Sequence, residues 1–576
     1  MGLKIGFSES GSIGKPLSRN EPDRSLSYVR GPIKLPMRNL LLTALLATAL
    51  VPKASAQDYT LSGSYTVELG KPYPVIDGIK RYYEIEDGII CIKVDGRRWF
   101  VQKLSGDGLS QTGMKQYEDF DKDMAFEHVT EVGGRMYFLY SVWDRDKETE
   151  QLFAREIDKK AGQFMGKGKK VLSVKGKVRG TLTATGFYRF AVTDKFDFIL
   201  SADEETLIVQ YQRIKDKKEL KENKELRKEM ELSVAVLKPD LSLDWTADVK
   251  VPYSTDVMSM EDYTIDSKGD ICIIASVYKG NAEKAKDRND EDYQYEFLRC
   301  TGKGAAWEQS PLALEGQKLM SIAFFEDAKG DLRAAGFYKK NWEQTGADGV
   351  FVGAFDASDE LASVGFHEIP KEIINMYTRA KEVKRNEKKE DKGEDLGLWG
   401  MDLNRVYSGK DGSLVVVGEK RYTTTECVTT QNGTRCYTVW HADDLLVAGI
   451  DPGNKLQWMN RIPKRASSRA PIGASFKYMN GAGAHHFLHF SKSKDLDIRS
   501  DEPPSMKGDV LVVADAINEA TGRMERHAVL NPDEVKGVKL YQLSMERLTR
   551  IGTGEILMEA YKKGKEDVLV RITVKE

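Results

Sequence analysis

Between Met401 and Pro463 the chain alternates short apolar runs with tight turn signals, a pattern that few folds can accommodate. An apolar segment at 401–406 is followed by a turn at 409–412, an apolar run at 414–418 and a polar hairpin. A second run at 445–450, the turn Asp451-Pro452-Gly453-Asn454 and a segment reaching Trp458 complete the unit. Each run is too short for a helix of ordinary length and is bounded by Gly, Asp, Asn or Pro, so the stretch reads as four short antiparallel strands.

Looser copies recur on both sides. Runs at 82–85, 89–94 and 99–104 form a meander with turns at Asp87-Gly88 and Asp95-Gly96, and 126–132, 136–142 and 152–157 form a second around Gly133-Gly134. A third is less regular, with runs at 179–184, 187–192, 198–200 and 206–211 that resume at 232–237 and close near Trp245. Clearer units turn at Asp266 to Gly269 and at Asp327 to Gly330, and two more occupy the region from Phe476 onward. The turn glycines 269, 330, 412, 483 and 554 are separated by 61, 82, 71 and 71 residues, as expected if loop lengths vary while strand cores do not. A unit of this size cannot bury its own apolar face, and stacking neighbours radially protects the strand edges. The expected fold is therefore all-β, a propeller of four-stranded blades: seven, or eight if the 82–104 unit is complete. Two smaller β domains, or a sandwich followed by a partial propeller, are the competing architectures.

Two charged segments interrupt the pattern. Residues 213–228 and 371–395 are rich in interleaved Lys and Glu, so their fields largely cancel and each reads as an exposed loop or short helix. In the second, Ile373, Ile374 and Met376 supply a brief apolar start. Trp99, Trp245, Trp307 and Trp458 each follow a turn, which suits packing anchors between blades.

At the N-terminus, Met37-Arg38-Asn39, the apolar segment 40–51 and Ala54-Ser55-Ala56 have the basic, apolar and small-residue order of a secretory signal. The expected organisation is an upstream extension or long n-region at 1–36, a signal at 37–56 and one propeller over 57–576. No later stretch reaches the length of a membrane-spanning helix, so no integral membrane domain is expected after signal removal. A formal net charge of −2 gives no global attraction to nucleic acid.

Export permits disulfides. Of Cys91, Cys272, Cys300, Cys427 and Cys436, the last two flank a segment containing Asn432-Gly433, a strong hairpin turn, and a disulfide between them would staple that loop. The other thiols are too scattered for a metal cluster, and Cys272 lies in an apolar strand.

The seven histidines include His485 and His489, which would share one face of a strand, with His486 on the other. The first two could hold a divalent metal only with a nearby acid, and His441-Ala442-Asp443-Asp444 reads as a polar loop. Asp119, Asp121 and Asp123, and Asp144, Asp146 and Glu148, supply oxygens for a structural calcium ion but lack the glycine and distal glutamate of an EF-hand. No nucleophile elbow, phosphate-binding loop, zinc-protease motif or dinucleotide fingerprint occurs in a suitable context, so no catalytic residue, metal ligand or cofactor is assigned.

The leader, the Asp-x-x-Gly turns, the Asp451 to Trp458 segment and the charged insertion before Met401 together resemble the secreted, functionally uncharacterised propeller-like proteins of Bacteroidota. The resemblance implies an envelope or extracellular location and transfers no catalytic residue. The expected function is recognition of a protein or envelope component through loops on one rim, with 213–228, 371–395 and the Cys427/Cys436 hairpin shaping the surface. The alternative is an extracellular hydrolase acting on a glycan or other polymer, which would need converging carboxylates or a metal in a cleft.

Overall fold

The computed structural model describes residues 59–576 except 77–79, 96, 181–194, 202–203, 281–292, 302–305, 342–345, 395, 431–432, 470–474, 506 and 542. The expected segments at 1–36 and 37–56, and the strands expected within 181–192, lie outside the described residues.

Among the described residues, alternating burial along short strands produces eight antiparallel sheets of four or more strands. In chain order the first blade is Lys80–Ile85, Gly88–Asp95, Arg98–Ser105 and Gln111–Tyr117, so the 82–104 unit is complete and the count is eight rather than seven. Blade 2 comprises Ala125–Val132, Arg135–Asp144, Thr149–Asp158 and Lys169–Lys175; blade 3, Asp197–Leu200, Leu207–Arg213, Glu229–Leu237 and Leu243–Ser254. Blade 4 comprises Met258–Ile265, Ile271–Tyr278, Tyr293–Thr301 and Ala306–Pro311; blade 5, Lys318–Glu326, Leu332–Lys339, Gly349–Phe355 and Leu361–Glu368. Blade 6 is the unit from which the pattern was read, Met401–Ser408, Leu414–Thr430, Gly433–Ile450 and Leu456–Ser468. Blade 7 is Lys477–Gly481, Ala484–Lys492, Val510–Asn518 and Met524–Leu530. Blade 8 takes Leu548–Arg550, Glu555–Lys562 and Glu566–Val574 from the C-terminus and its outermost strand, Tyr65–Leu69, from the N-terminus, in the register Tyr65 opposite Val574.

That the sheets close into a ring follows from their cores. Each neighbouring pair shares one buried apolar cluster, from Ile92, Val101 and Phe138 between blades 1 and 2 round to Met479, Leu488 and Ile556 between blades 7 and 8. Ile551, Leu557 and Leu569 of blade 8 then pack on Ile89, Cys91 and Leu104 of blade 1. The largest stabilising term therefore lies between blades, at roughly 25 cal/mol per Å² of apolar surface removed from water. This explains the long, fully buried runs in the second strands, such as 271–277 and 414–418.

Antiparallel pairing sorts the connections between two faces. Links from first to second and from third to fourth strands emerge on one face, which we call the turn face; apart from the passage from Asp158 to Lys169, each has two to six residues. Links from second to third strands and from one blade to the next emerge on the other, the loop face. Asp or Asn side chains cap many of the short turns: Asp266 Oδ1 accepts from the N–H groups of Lys268 and Asp270, and Asp451 Oδ1 from those of Gly453 and Lys455.

Candidate interaction face

All three expected excursions leave the ring on the loop face. Residues 213–228 connect the second and third strands of blade 3 and contain helix α1, Lys217–Glu222, started by a capping box in which Asp216 Oδ1 accepts from the N–H of Glu219 and the Glu219 side chain accepts from the N–H of Asp216. Residues 371–395 connect blades 5 and 6 and form helices α2, Lys371–Asn375, and α3, Ala380–Glu390. The Cys427/Cys436 hairpin prolongs the two middle strands of blade 6 beyond the body of the sheet.

The second excursion packs over blades 6 and 7, and the third rises from blade 6 beside Trp399. Helix α2 buries Ile373 and Ile374, and its last carbonyls accept from Arg461 Nη1, at 3.3 Å from Ile373 and 2.7 Å from Ile374. Arg461 also holds Asp444, at 3.1 Å and 2.5 Å. The Tyr377 N–H donates to the Ser500 carbonyl at 2.6 Å, joining this insertion to the 493–509 loop of blade 7. Helix α3 buries no residue, so α2 anchors and α3 is displayed. Beside them Leu398–Trp399 pairs with Gly346–Ala347, leaving Trp399 52% exposed.

The hairpin rises from this floor. At its foot the Tyr422 and His441 rings stack at 4.4 Å and 6°, Tyr422 Oη donates to Asp443 at 3.1 Å, and Lys420 Nζ lies 5.6 Å from the Trp399 ring. Further out Cys427 and Cys436 are directly opposed, with sulfurs 2.09 Å apart. Beyond Ser468 no third strand among the described residues supports the arm, and an isolated two-stranded ribbon is marginal in water, so a covalent staple has an evident role.

Below the face the ring is unusually charged. Glu419 is fully buried between blades 6 and 7, with Arg421 at 2.5 Å, Lys464 at 3.1 Å, Ser475 at 2.8 Å and Asn404 at 3.0 Å. Burial alone would raise its pKa, but Arg421 and Lys464 outweigh burial and hold the carboxyl below its usual range. Deeper in blade 7, Asp515 accepts from His489 at 2.7 Å and from Arg526 at 2.8 Å on each oxygen. Its carboxyl is held at about 2: burial opposes this, and Arg526 and the His489 hydrogen bond prevail. At the seam between blades 8 and 1, Glu559 gathers Lys80, Lys93 at 3.3 Å, Tyr73 at 2.7 Å and Tyr82, while Asp567 holds Lys80 at 2.5 Å.

These contacts decide where the other candidate residues stand. His485 and His489 do share the face toward blade 6 while His486 turns to Tyr65 of blade 8, but they have separate partners: His485 bonds Tyr478 Oη at 2.9 Å and His489 bonds Asp515. Burial and the neighbouring His486 push His485 down to about 4, which keeps it neutral. Asp119 forms a two-pronged pair with Arg155 at 3.0 Å, and Asp121 and Asp144 accept from backbone N–H groups of their own loops. Among the described residues no group of three or more His, Cys, Asp or Glu side chains converges as a metal site, and no helix is long and apolar enough to cross a membrane. Cys91, Cys272 and Cys300 are buried free thiols. Trp99 and Trp458 are buried anchors; Trp245 and Trp307 are partly buried. The residues that sequence reasoning missed are the buried ions: Glu559 lies 479 positions from Lys80, and no local pattern marks that pairing.

No protein-family model and no curated protein matches the chain in sequence. Solved structures similar to it include the Dos1 propeller, at 9% identity and TM-score 0.35 over 88% of this chain and 96% of that one. The WD40 domain of SCAP from fission yeast matches at 8% and 0.31 over 89% and 99%, and a puromycin hydrolase at 9% and 0.31 over 74%. This chain spans about half the length of that hydrolase, 52%. At such identities and scores these likenesses favour neither binding nor catalysis; the fold itself stands on the eight sheets and their closed sequence of cores.

Proposed function

We propose that the protein is an exported, noncatalytic propeller that binds a protein or cell-envelope component through the part of its loop face over blades 5 to 7, and that it belongs with the secreted propeller-like proteins of Bacteroidota. The observation that carries this reading is the shared face of the three excursions. The hairpin rises beside the exposed Trp399, 371–395 packs over blades 6 and 7, and 213–228 projects from blade 3, all on the same face. An exposed tryptophan bordered by a stacked Tyr–His pair and by charged side chains has the composition of an interface anchor with a polar rim. The buried carboxylates are poorly placed for hydrolysis, because Glu419, Asp515 and Glu559 are each surrounded by cations and closed to solvent.

The test compares capture from a cell-envelope extract by the protein and by a version shortened in the exposed parts of both insertions, within 217–227 and 380–390, leaving Ile373 and Ile374 in place. Reproducible capture of one component that is lost on shortening supports the reading. Equal recovery by both forms removes the insertions from it, and a Trp399→Ala variant then reports whether the floor between them binds instead.

A further inference from the structure

Outside the loop face, the strongest unassigned feature is electrostatic. Between Lys159 and Gly180 the chain carries eight cations and no carboxylate, in a protein whose formal net charge is −2. The centre of this segment is Lys169–Lys175, the outermost strand of blade 2, which pairs on one side only, with Thr149–Asp158. A bulge at Val171 breaks the alternation there, so Lys169 and Lys170 are both exposed, followed by Ser173 and Lys175, while Val171, Leu172 and Val174 turn inward. Lys177 and Arg179 continue the exposed series as the chain crosses to blade 3.

A lysine-rich edge has a simpler role, the prevention of edge-to-edge association. That role applies equally to all eight outermost strands, and among the described residues no other one exposes more than one cation; Gln111–Tyr117 has Lys115, Leu243–Ser254 has Lys250 and Leu456–Ser468 has Arg465. Nor are these charges spent internally. Lys167, Lys169, Lys170 and Lys177 have no ion pair among the described residues, and the pair of Lys175 with Glu148, 3.2 Å apart, is fully solvated and weak.

The stripe borders two clefts between blades 2 and 3. One, of about 560 Å³, is lined by Lys170, Lys175, Asp248 and Arg213, which pairs with Glu219; the other, of about 500 Å³, by Lys167, Lys169, Asp240 and the Arg135–Glu156 pair. At about 3.3 Å per residue, the extended strand Lys169–Lys175 alone spans roughly 20 Å, the length of several sugar units.

We infer that this edge is a second binding site, for a linear carboxylated polysaccharide laid along 167–179. The lysines supply point charges for spaced carboxylates, and the exposed Ser173 and Asp248 supply partners for sugar hydroxyls. A nucleic acid fits less well. Residues 167–179 include no aromatic ring on which a base could stack, Tyr137 and Tyr211 in the cleft walls are buried, and the partly buried Trp143 ring already faces Lys177 Nζ at 5.7 Å. The inference is independent of the loop-face reading, since it concerns the perimeter of a different blade.

The experiment measures binding of the purified protein to polygalacturonate, to neutral dextran and to a single-stranded oligonucleotide of matched charge, at low and raised salt. We expect polygalacturonate to bind, dextran not to, and added salt to release the complex. The combined variant Lys169→Gln, Lys170→Gln, Lys175→Gln should bind at least tenfold more weakly with an unchanged melting midpoint. The control variant Lys381→Gln, Lys384→Gln, Lys388→Gln on α3 should bind normally. Absence of polygalacturonate binding, equal loss in both variants, or tighter binding of the oligonucleotide would overturn the assignment.

Discussion

The two faces of the ring are made by the same strands and differ in what their connections do. On the turn face a side chain of one blade is lodged in a turn of the next. Lys103 donates to the Lys160 carbonyl, Tyr137 to that of Pro239, Arg299 to Asp359, Arg333 to Asn454 and the Gly412 carbonyl, Trp458 to the Glu519 carbonyl and Arg550 to Asn480. Trp245 closes over Gly269, and Arg571 reaches the Gly106 carbonyl, so all eight junctions are stitched. On the loop face the connections range from two residues between Asp95 and Arg98 to 32 between Glu368 and Met401, and the junctions of blades 6 with 7 and 8 with 1 are held from below by buried ions. One face is fixed by short-range fit; the other is free to vary in length because its support lies beneath the loops.

That contrast can be broken in order of expected effect. The largest is Glu559→Ala at the seam, where loss of the anion strands Lys80 and Lys93 inside the protein; destabilisation of about 3–5 kcal/mol is expected in denaturant unfolding. The same buried acids set a pH limit. Glu559 and Asp515 are both held at about 2, below their unfolded values, so their stabilisation is complete above those values and disappears as pH falls toward 2. For Glu559, burial works against this and Lys93 and Lys80 outweigh it. Stability should therefore fall below about pH 4, by an amount on the order of 2 kcal/mol from Asp515 and by a smaller net amount at the seam, where burial and Glu559 push Asp567 up although it shares Lys80; a flat acid limb would contradict the ion pairing.

Next comes the turn face. Gly522 has φ +67°, and a Cβ there would lie 2.3 Å from Cβ of Trp458, so Gly522→Ala combines backbone strain with overpacking. About 2–3 kcal/mol is expected, measured by thermal or chemical melts. Removing both sulfurs, with Cys427→Ser and Cys436→Ser, should leave the global midpoint nearly unchanged while limited proteolysis within 423–439 accelerates, because the arm stands outside the ring cores. Smallest of all, the α3 lysine variants should shift stability by less than about 0.5 kcal/mol, since no residue of that helix is buried.

What could be read from the sequence divides along the same line. Turn chemistry and strand alternation are local, so blade 6 is visible in full from Met401 to Trp458, and the Asn432-Gly433 signal brings Cys427 opposite Cys436. Loop-face placement of the insertions follows once strands are counted within a blade. Residues 169–175 escape the pattern because the bulge at Val171 interrupts the alternation and lysines dominate it, and the second unit consequently lacks a recognisable fourth strand. The buried ions are invisible for a different reason. Lys93 and Glu559 are 466 positions apart, and each looks like an ordinary surface residue until ring closure brings blades 1 and 8 together.

The division of labour between the faces is tested most directly by site-specific photo-crosslinking in the native envelope. A cross-linkable residue would be placed at Lys384 on α3 and at Thr425 on the hairpin, with Lys410 and Ser358 on the turn face as counterparts. Adducts to a common component from Lys384 and Thr425, with none from Lys410 or Ser358, are the predicted result. Adducts of equal yield from both faces, or from the turn face alone, would contradict it.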